Sequence, residues 1–301
     1  MLNYPFIRSL SALMDNTSVL IGISCQNTGT SQEGPAQVSG TPLTAIVFEF
    51  QRSLFFIAES ISSNQKVILQ MHDAIITFLL PVLLAKAKQV SMHFPSGSQL
   101  SLHEDESRFL CLKIINDTLV TLLNEESIYI PHYEQGQASG SSSQAAVAST
   151  LKINQFLVDG LLPLAARLLS QSDPEPFYGQ RLLSTILDKN CRLIKVLRNL
   201  TTAPLSSDPA EEVKQPATKS VLHLVSEFYQ VNHANLNKHT IIIVESLMEA
   251  KELSFAELRE FRIIDKTYQL IKTMLSNKKE WCIELLLDIN HHLLSRFNEV
   301  V

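Results

Sequence analysis

Glycine is scarce in this chain, with nine residues in 301. Sheets need turns, and tight turns draw on glycine. The scarcity, beside long spans rich in Leu and Ile, excludes a strand-dominated fold and favours helices. Cysteine is scarcer still: Cys25, Cys111, Cys191 and Cys282 stand far apart, and no C-x-x-C occurs. That excludes a disulfide framework and a cysteine zinc site, and predicts reduced, buried thiols of a cytosolic protein. Positive charge is not in excess. The net charge is -5 and the pI about 6.0. A nucleic-acid surface needs a basic stripe, so no nucleic-acid partner is expected, and Lys278-Lys279 reads as a solvated turn. Long apolar runs are missing too. The most apolar, Ala74 to Ala85, is too short to span a bilayer and contains Pro81, so it reads as a buried core helix and no membrane partner is expected. Asn3, Arg8, Ser9, Ser11, Asp15 and Asn16 interrupt the N-terminal apolar residues, which excludes a signal-peptide core there. The localisation these absences predict is cytoplasmic.

Catalytic motifs are missing as well. There is no Gly-rich loop, strand lysine or paired catalytic and metal-binding aspartates of a kinase, and no G-x-x-x-x-G-K-S/T loop. A serine hydrolase needs G-x-S-x-G on a strand-to-helix turn. Gly136 to Ser143 has the residue types but sits in a low-complexity stretch with no strand before it. The sharpest enzyme alternative is a helical-bundle metal site: Glu284, Asp288, His291 and His292 share the last helix. A diiron bundle needs Glu plus Glu-x-x-His on facing helices. Here a single Asp-x-x-His has no facing set, so these residues read as a solvated face opposite Trp281 and Leu285. His223 and His239 read as ordinary helix histidines. No catalytic residue, metal ligand or cofactor site is assigned.

What is present is helical periodicity. The organising stretch runs from Leu161 to Leu187 as one helix, a tight corner and a second helix packed back against it. Asp173 suits the N-cap, Pro174 the first helical position, and Glu175 the positive end of the helix dipole. Pro176 is tolerated in the first turn, whose amides have no intrahelical partner. Tyr178, Leu182, Leu183, Ile186 and Leu187 then form one buried face.

Similar stripes recur along the chain. Ile7, Leu10, Leu13 and Met14 open it; Thr41-Pro42 starts a helix with Val47, Phe50, Leu54, Ile57 and Ile61. After a Ser63-Asn64 break come Ile68, Met71, Ile75, Phe78 and Val82, completing an αα-hairpin. Phe109, Leu112, Ile115, Leu119 and Leu122 follow, then Ile153, Phe156, Leu157, Leu161 and Leu168. Val221 to Phe228 and Leu236 to Met248 make a further pair. Phe261, Ile264, Tyr268, Ile271 and Leu275 give the cleanest stripe, and Asn277 with Glu280 a capping-box variant. The last helix is expected to bury Trp281, Leu285, Ile289 and Leu293, with Tyr178, Tyr268 and Trp281 as core aromatics. Leu79-Leu80-Pro81 echoes Leu161-Leu162-Pro163 at 82 residues, read as two helical repeats of about 40, and both prolines are expected to kink their helices. The pattern predicts ten or eleven helices and no strand. The fold class is all-α, an armadillo/HEAT-like α-solenoid over residues 1–301 with mobile loops at 26–40, 92–105, 134–149 and 202–219.

Two segments carry a family resemblance. Arg108 to Lys113, Asn124-Glu125-Glu126, Leu161 to Pro163 and Asp173 to Tyr178 resemble, in order, the C-terminal helical-repeat region of the fourth Unc-51-like kinase, a group that includes the plant protein RUNKEL and is related to Fused. The likeness is clearest from Glu106 to Asn199, and the Asn277 to Asp288 stretch looks like the family's closing repeat. The resemblance implies a non-catalytic scaffold, the repeat half of a pseudokinase-type protein. It implies protein partners, such as a Fused-like kinase or a microtubule-associated complex, and a place at the cytoskeleton or cilium. The expected state is a monomer within a larger complex. This sequence departs from the family in having no kinase-like domain, so it reads as a truncated or split product or a stand-alone scaffold. The competing reading is an unrelated armadillo-type adaptor in transport or cytoskeletal assembly.

Overall fold

Proline decides the geometry at two places. In an α-helix a proline leaves the carbonyl four residues back without a donor, and its ring collides with that carbonyl. Just ahead of Pro81 the chain widens into a π-helical turn, Ile75–Leu79, where the Leu80 N–H reaches the Ile75 carbonyl, five residues back. Just ahead of Pro163 it does so again at Phe156–Leu161, with the Leu162 N–H on the Leu157 carbonyl. The two Leu-Leu-Pro segments therefore share one local structure, and the expected response to proline takes the form of a π turn.

The computed structural model describes residues 3–26, 42–89, 99–130, 144–170, 175–190, 193–199, 238–250, 253–260, 262–276 and 283–298. Among the described residues every regular element is a helix, and the fold is all-α. Residues 1–153 and 154–301 form two compact units.

The first unit contains α1 (Tyr4–Gln26), α2 (Pro42–Ser62), α3 (Gln65–Ala74), the first π turn, α4 (Leu80–Lys88), α5 (Gln99–Asn124) and α6 (Gln144–Gln155). Helix α1 opens on an Asn3 cap, whose Oδ1 accepts from the Phe6 N–H at 3.1 Å. The Ser63-Asn64 break is a cap as well: Asn64 Oδ1 accepts from the Val67 N–H at 3.2 Å. Helices α1 and α2 pack together, α2 lies on α5, and α4 packs on α5. Two ion pairs stitch α2 to α5: Arg52 with Glu106, and Glu59 with Lys113.

The π turn resets the buried stripe. Ile68 and Ile75 are fully buried as expected, while Met71 between them is half-buried, at a kink where its backbone leaves helical values. The turn then takes up one extra residue. From there on Leu79, Leu80, Leu83, Leu84 and Ala87 are buried, while Phe78 and Val82 are half-buried. The helical span Gln65–Lys88, kinked at Met71, is longer than the Ala74–Ala85 run and long enough to cross a bilayer by length and composition. Here Ile68, Ile75, Leu79 and Leu83 are core residues of the unit.

Other expectations need correction. Leu13 is exposed, although Ile7, Leu10 and Met14 are buried. On α2 the buried face is Phe48, Gln51, Leu54, Phe55, Ala58 and Ile61, while Phe50 and Ile57 are exposed. That helix is apolar around most of its circumference, so two stripes fit the same period. Two predicted loops are shorter than read. Gln99 to Asp105 is the first part of α5, where Glu104 is buried and His103 stacks on Phe48. Gln144 to Ser149 opens α6, with Ala146 and Ser149 buried; its alanines are strong helix formers despite their small apolar surface. Gln26 closes α1. Finally, only the rest of α4, α5, α6 and the second π turn lie between Pro81 and Pro163 among the described residues. Among the described residues the 82-residue echo therefore spans one helix pair, α5 and α6, with 90–98 and 131–143 outside them.

Thr150 ties α6 to the segment after α5. The Ile130 N–H donates to Thr150 Oγ1 at 2.9 Å, and Thr150 Oγ1 donates to the Ile128 carbonyl at 3.3 Å. The hydroxyl is buried. Thr150→Val keeps the shape and leaves both partners unsatisfied, so it is expected to cost about 1–3 kcal/mol in urea unfolding. Thr150→Ser should retain most of that stability.

The second unit contains the second π turn, α7 (Leu162–Leu169), α8 (Glu175–Lys189), α9 (Ile194–Asn199), α10 (Lys238–Glu249), α11 (Phe255–Glu260), α12 (Ile263–Ser276) and α13 (Ile283–Asn298). Helix α7 packs on α8, which buries Leu182, Leu183, Ile186 and Leu187 as expected, while Tyr178 is half-buried and not a core residue. Helix α8 packs on α10, and α10 on α13. A full capping box opens α11, with the Ser254 N–H on Glu257 Oε2 at 2.9 Å and the Glu257 N–H on Ser254 Oγ at 3.3 Å. Among the described side chains of α12, Ile263 and Thr267 are buried, Ile264 is half-buried and Tyr268 is 66% exposed, so Tyr268 is not a core residue. Ile289 is buried as expected. Thr41, Asp173, Pro174, Val221 to Phe228, Phe261, Asn277, Glu280, Trp281, Cys191, Cys282 and the stretches 27–40, 92–98, 134–143 and 202–219 lie outside the described residues.

Candidate functional site

Three polar clusters and exposed apolar stripes are built by these helices. The first cluster lies between α4 and α5. Lys86, Glu104, Arg108 and Cys111 are all buried there. Burial lowers the Lys86 ammonium pKa, against the opposing pull of Glu104. Burial also pushes the Cys111 thiol well up, so it stays protonated. A thiol held that way is a packing group, not a nucleophile.

The second cluster is a serine–histidine pair that sequence reading missed. Ser184 on α8 and His239 on α10 lie 55 positions apart, and no local motif links them. Ser184 Oγ is 2.9 Å from His239 Nδ1 and donates to the Arg181 carbonyl at 2.9 Å. Which of the two donates in the Ser184–His239 contact depends on the tautomer of the ring. The ring also meets Phe177 edge-on at 5.8 Å. The contact joins α8 to α10.

The third cluster involves the polar face of the last helix. Glu284, Asp288 and His291 are exposed and His292 is half-buried, with the two imidazoles 6.1 Å apart. Among the described residues no group of three or more His, Cys, Asp or Glu side chains is arranged to hold a metal. Asp288 does meet carboxylates from other helices. Burial, then Asp288, Asp188 on α8 and Glu249 on α10 push the Glu245 carboxyl up from 4.5 to about 7. The folded unit then binds a proton that the unfolded chain gives up, so its stability falls as pH rises from about 4.5 to about 7. Glu245→Gln is expected to flatten that dependence and to raise stability at pH 8 by about 1 kcal/mol, after allowing for solvent screening of this half-exposed group. Thermal melts at pH 5 and pH 8 check both.

The apolar surfaces were also missed, because periodicity assigns a stripe to the core by default. Helix α1 exposes Phe6, Leu13 and Leu20, and α2 exposes Ile46, Phe50 and Ile57. Helix α13 exposes Ile283, Leu287 and Leu294.

All-α packing, helix pairs and a repeated π-turn helix define a helical-repeat protein. The model of one family, described as serine/threonine-protein kinase ULK4-like, HEAT repeats, matches residues 1–195. The chain belongs to this family. The match takes in both Leu-Leu-Pro segments and the α7–α8 corner, and begins well before the Glu106–Asn199 run in which the family motifs are clearest. No curated protein matches the chain.

Proposed function

We propose that this chain is a non-catalytic scaffold that binds other proteins of a microtubule- or cilium-associated or kinase-signalling complex. Membership of the ULK4-like HEAT-repeat family carries the reading. Helical repeats build extended surfaces from stacked helix pairs, and surface is what such repeats use to bind proteins. The Cys111 thiol is buried and is a packing group. Phosphoryl transfer would need a glycine-rich loop and metal-binding aspartates, and this sequence has neither. The kinase in the family's name is not a property of these residues. The place of action in this reading is the cytoplasm, at the cytoskeleton or cilium. Affinity capture of the tagged full chain from ciliated cells tests it. Enrichment of axonemal, tubulin-associated or Fused-like kinase proteins over a tag-only control is expected. Enrichment of nuclear-transport or vesicle-coat components instead would contradict it.

A further inference from the structure

Helices α11 and α12 meet at a strained residue. Arg262 stands between them with φ 53°, in the left-handed region. Its N–H donates to the Arg259 carbonyl at 2.9 Å, the kind of bond with which a left-handed residue closes a helix. Glycine is the usual residue there, because a Cβ in this conformation crowds the backbone. Among the described residues Arg262 is the one non-glycine residue at positive φ.

Nothing in the sequence requires the break. From Phe255 to Ser276 there is no glycine, proline or asparagine, the residues that mark helix ends. A continuous helix would also pair the carbonyls that a helix end leaves without an intrahelical donor. What the break achieves is burial. On an uninterrupted helix Leu258 and Thr267 would lie about 180° apart, at about 100° per residue. With the chain bent, both are buried, and Ile263 with them. An uninterrupted helix gathers a different set. Leu258, Phe261, Ile264, Tyr268, Ile271 and Leu275 recur at steps of three and four, which places them along one side of it. In the bent form Ile264 is half-buried and Tyr268 exposed. The segment thus carries two apolar patterns, one for each conformation of Arg262.

We infer that Phe255–Ser276 is a two-state joint, bent at Arg262 as in this structure and continuous when Arg262 turns to right-handed helical values. The bent form packs Leu258, Ile263 and Thr267. The continuous form aligns the stripe from Leu258 to Leu275. The joint is a device by which the second unit changes the surface it presents. This inference rests on the backbone of one residue and on the pattern around it, and stands or falls independently of the partners proposed above.

The distance between two spin labels tests it. The labels are attached to p-acetylphenylalanine at positions 256 and 276 of the full chain, which leaves the native cysteines untouched. Ala256 and Ser276 are both exposed. A continuous helix sets their Cα atoms about 30 Å apart, and a bend brings them closer. The native chain is expected to show both distances. Arg262→Gly removes the cost of the left-handed conformation and adds glycine's penalty inside a helix. The fraction at the longer distance is expected to fall about 30-fold or more in that variant. Arg262→Ala keeps a Cβ and is expected to retain both distances, which separates the backbone effect from loss of the guanidinium. A single distance in the native chain overturns the inference. So does a longer-distance fraction that survives Arg262→Gly, or one that vanishes equally in Arg262→Ala.

Discussion

Gly179→Val is expected to destabilise the second unit by about 3 kcal/mol or more, at the upper end of overpacking costs. A Cβ at this position would lie 3.1 Å from the Ala165 carbonyl oxygen, 3.1 Å from Leu168 Cβ and 3.1 Å from Leu169 Cγ. One of those atoms is backbone and another is fixed to backbone, so neither can swing aside. Alanine removes glycine's helix penalty of about 1 kcal/mol, which offsets part of the clash. Gly179→Ala should therefore cost less, about 1 kcal/mol net. Valine adds two methyl groups to the same crowded corner and gains little in propensity. Urea unfolding of both variants measures the difference. A valine variant as stable as wild type would mean that α7 and α8 are farther apart than this packing requires.

Leu83→Ala is expected to cost about 2–5 kcal/mol, the range for emptying a buried leucine site. Val82→Ala should cost less than about 1 kcal/mol, because its side chain is only partly removed from water. Leu83 is fully buried and Val82 half-buried. An uninterrupted α-helix from Ile68 reverses that order, since steps of three and four lead from Ile75 to Phe78 and Val82. The pair of variants thus reports the extra residue taken up at the π turn. Equal costs, or a larger one at Val82, would remove the π turn from the account.

How much was legible in the sequence depended on what sets each residue's environment. The buried face of α8 could be read because Leu182, Leu183, Ile186 and Leu187 recur at steps of three and four. The α5 face could be read in four of its five positions: Leu112, Ile115, Leu119 and Leu122 are buried, and Phe109 is half-buried. The α2 face could not. With Ile46, Val47, Phe48, Phe50, Phe55, Phe56 and Ile57 all apolar, period alone does not choose between two faces, and the choice is made by α1 and α5. Helix α12 failed similarly, because Thr267 is buried through a hydrogen bond to the Ile263 carbonyl at 2.6 Å, a role hydrophobicity does not mark. Proline signalled a disturbance at Pro81 but not its form. A kink and a π turn relieve the same clash, and only the π turn shifts the register. The Ser184–His239 contact and the carboxylates around Glu245 join helices far apart in sequence, so nothing local announces them.

Native mass spectrometry of the chain captured gently from cells tests the scaffold reading most directly. The account predicts the chain in complexes with other proteins at fixed stoichiometry, with those proteins retained when Ser184 or His239 is replaced by alanine. A chain that carries a stoichiometric metal, has no protein partner and turns over a substrate would contradict it.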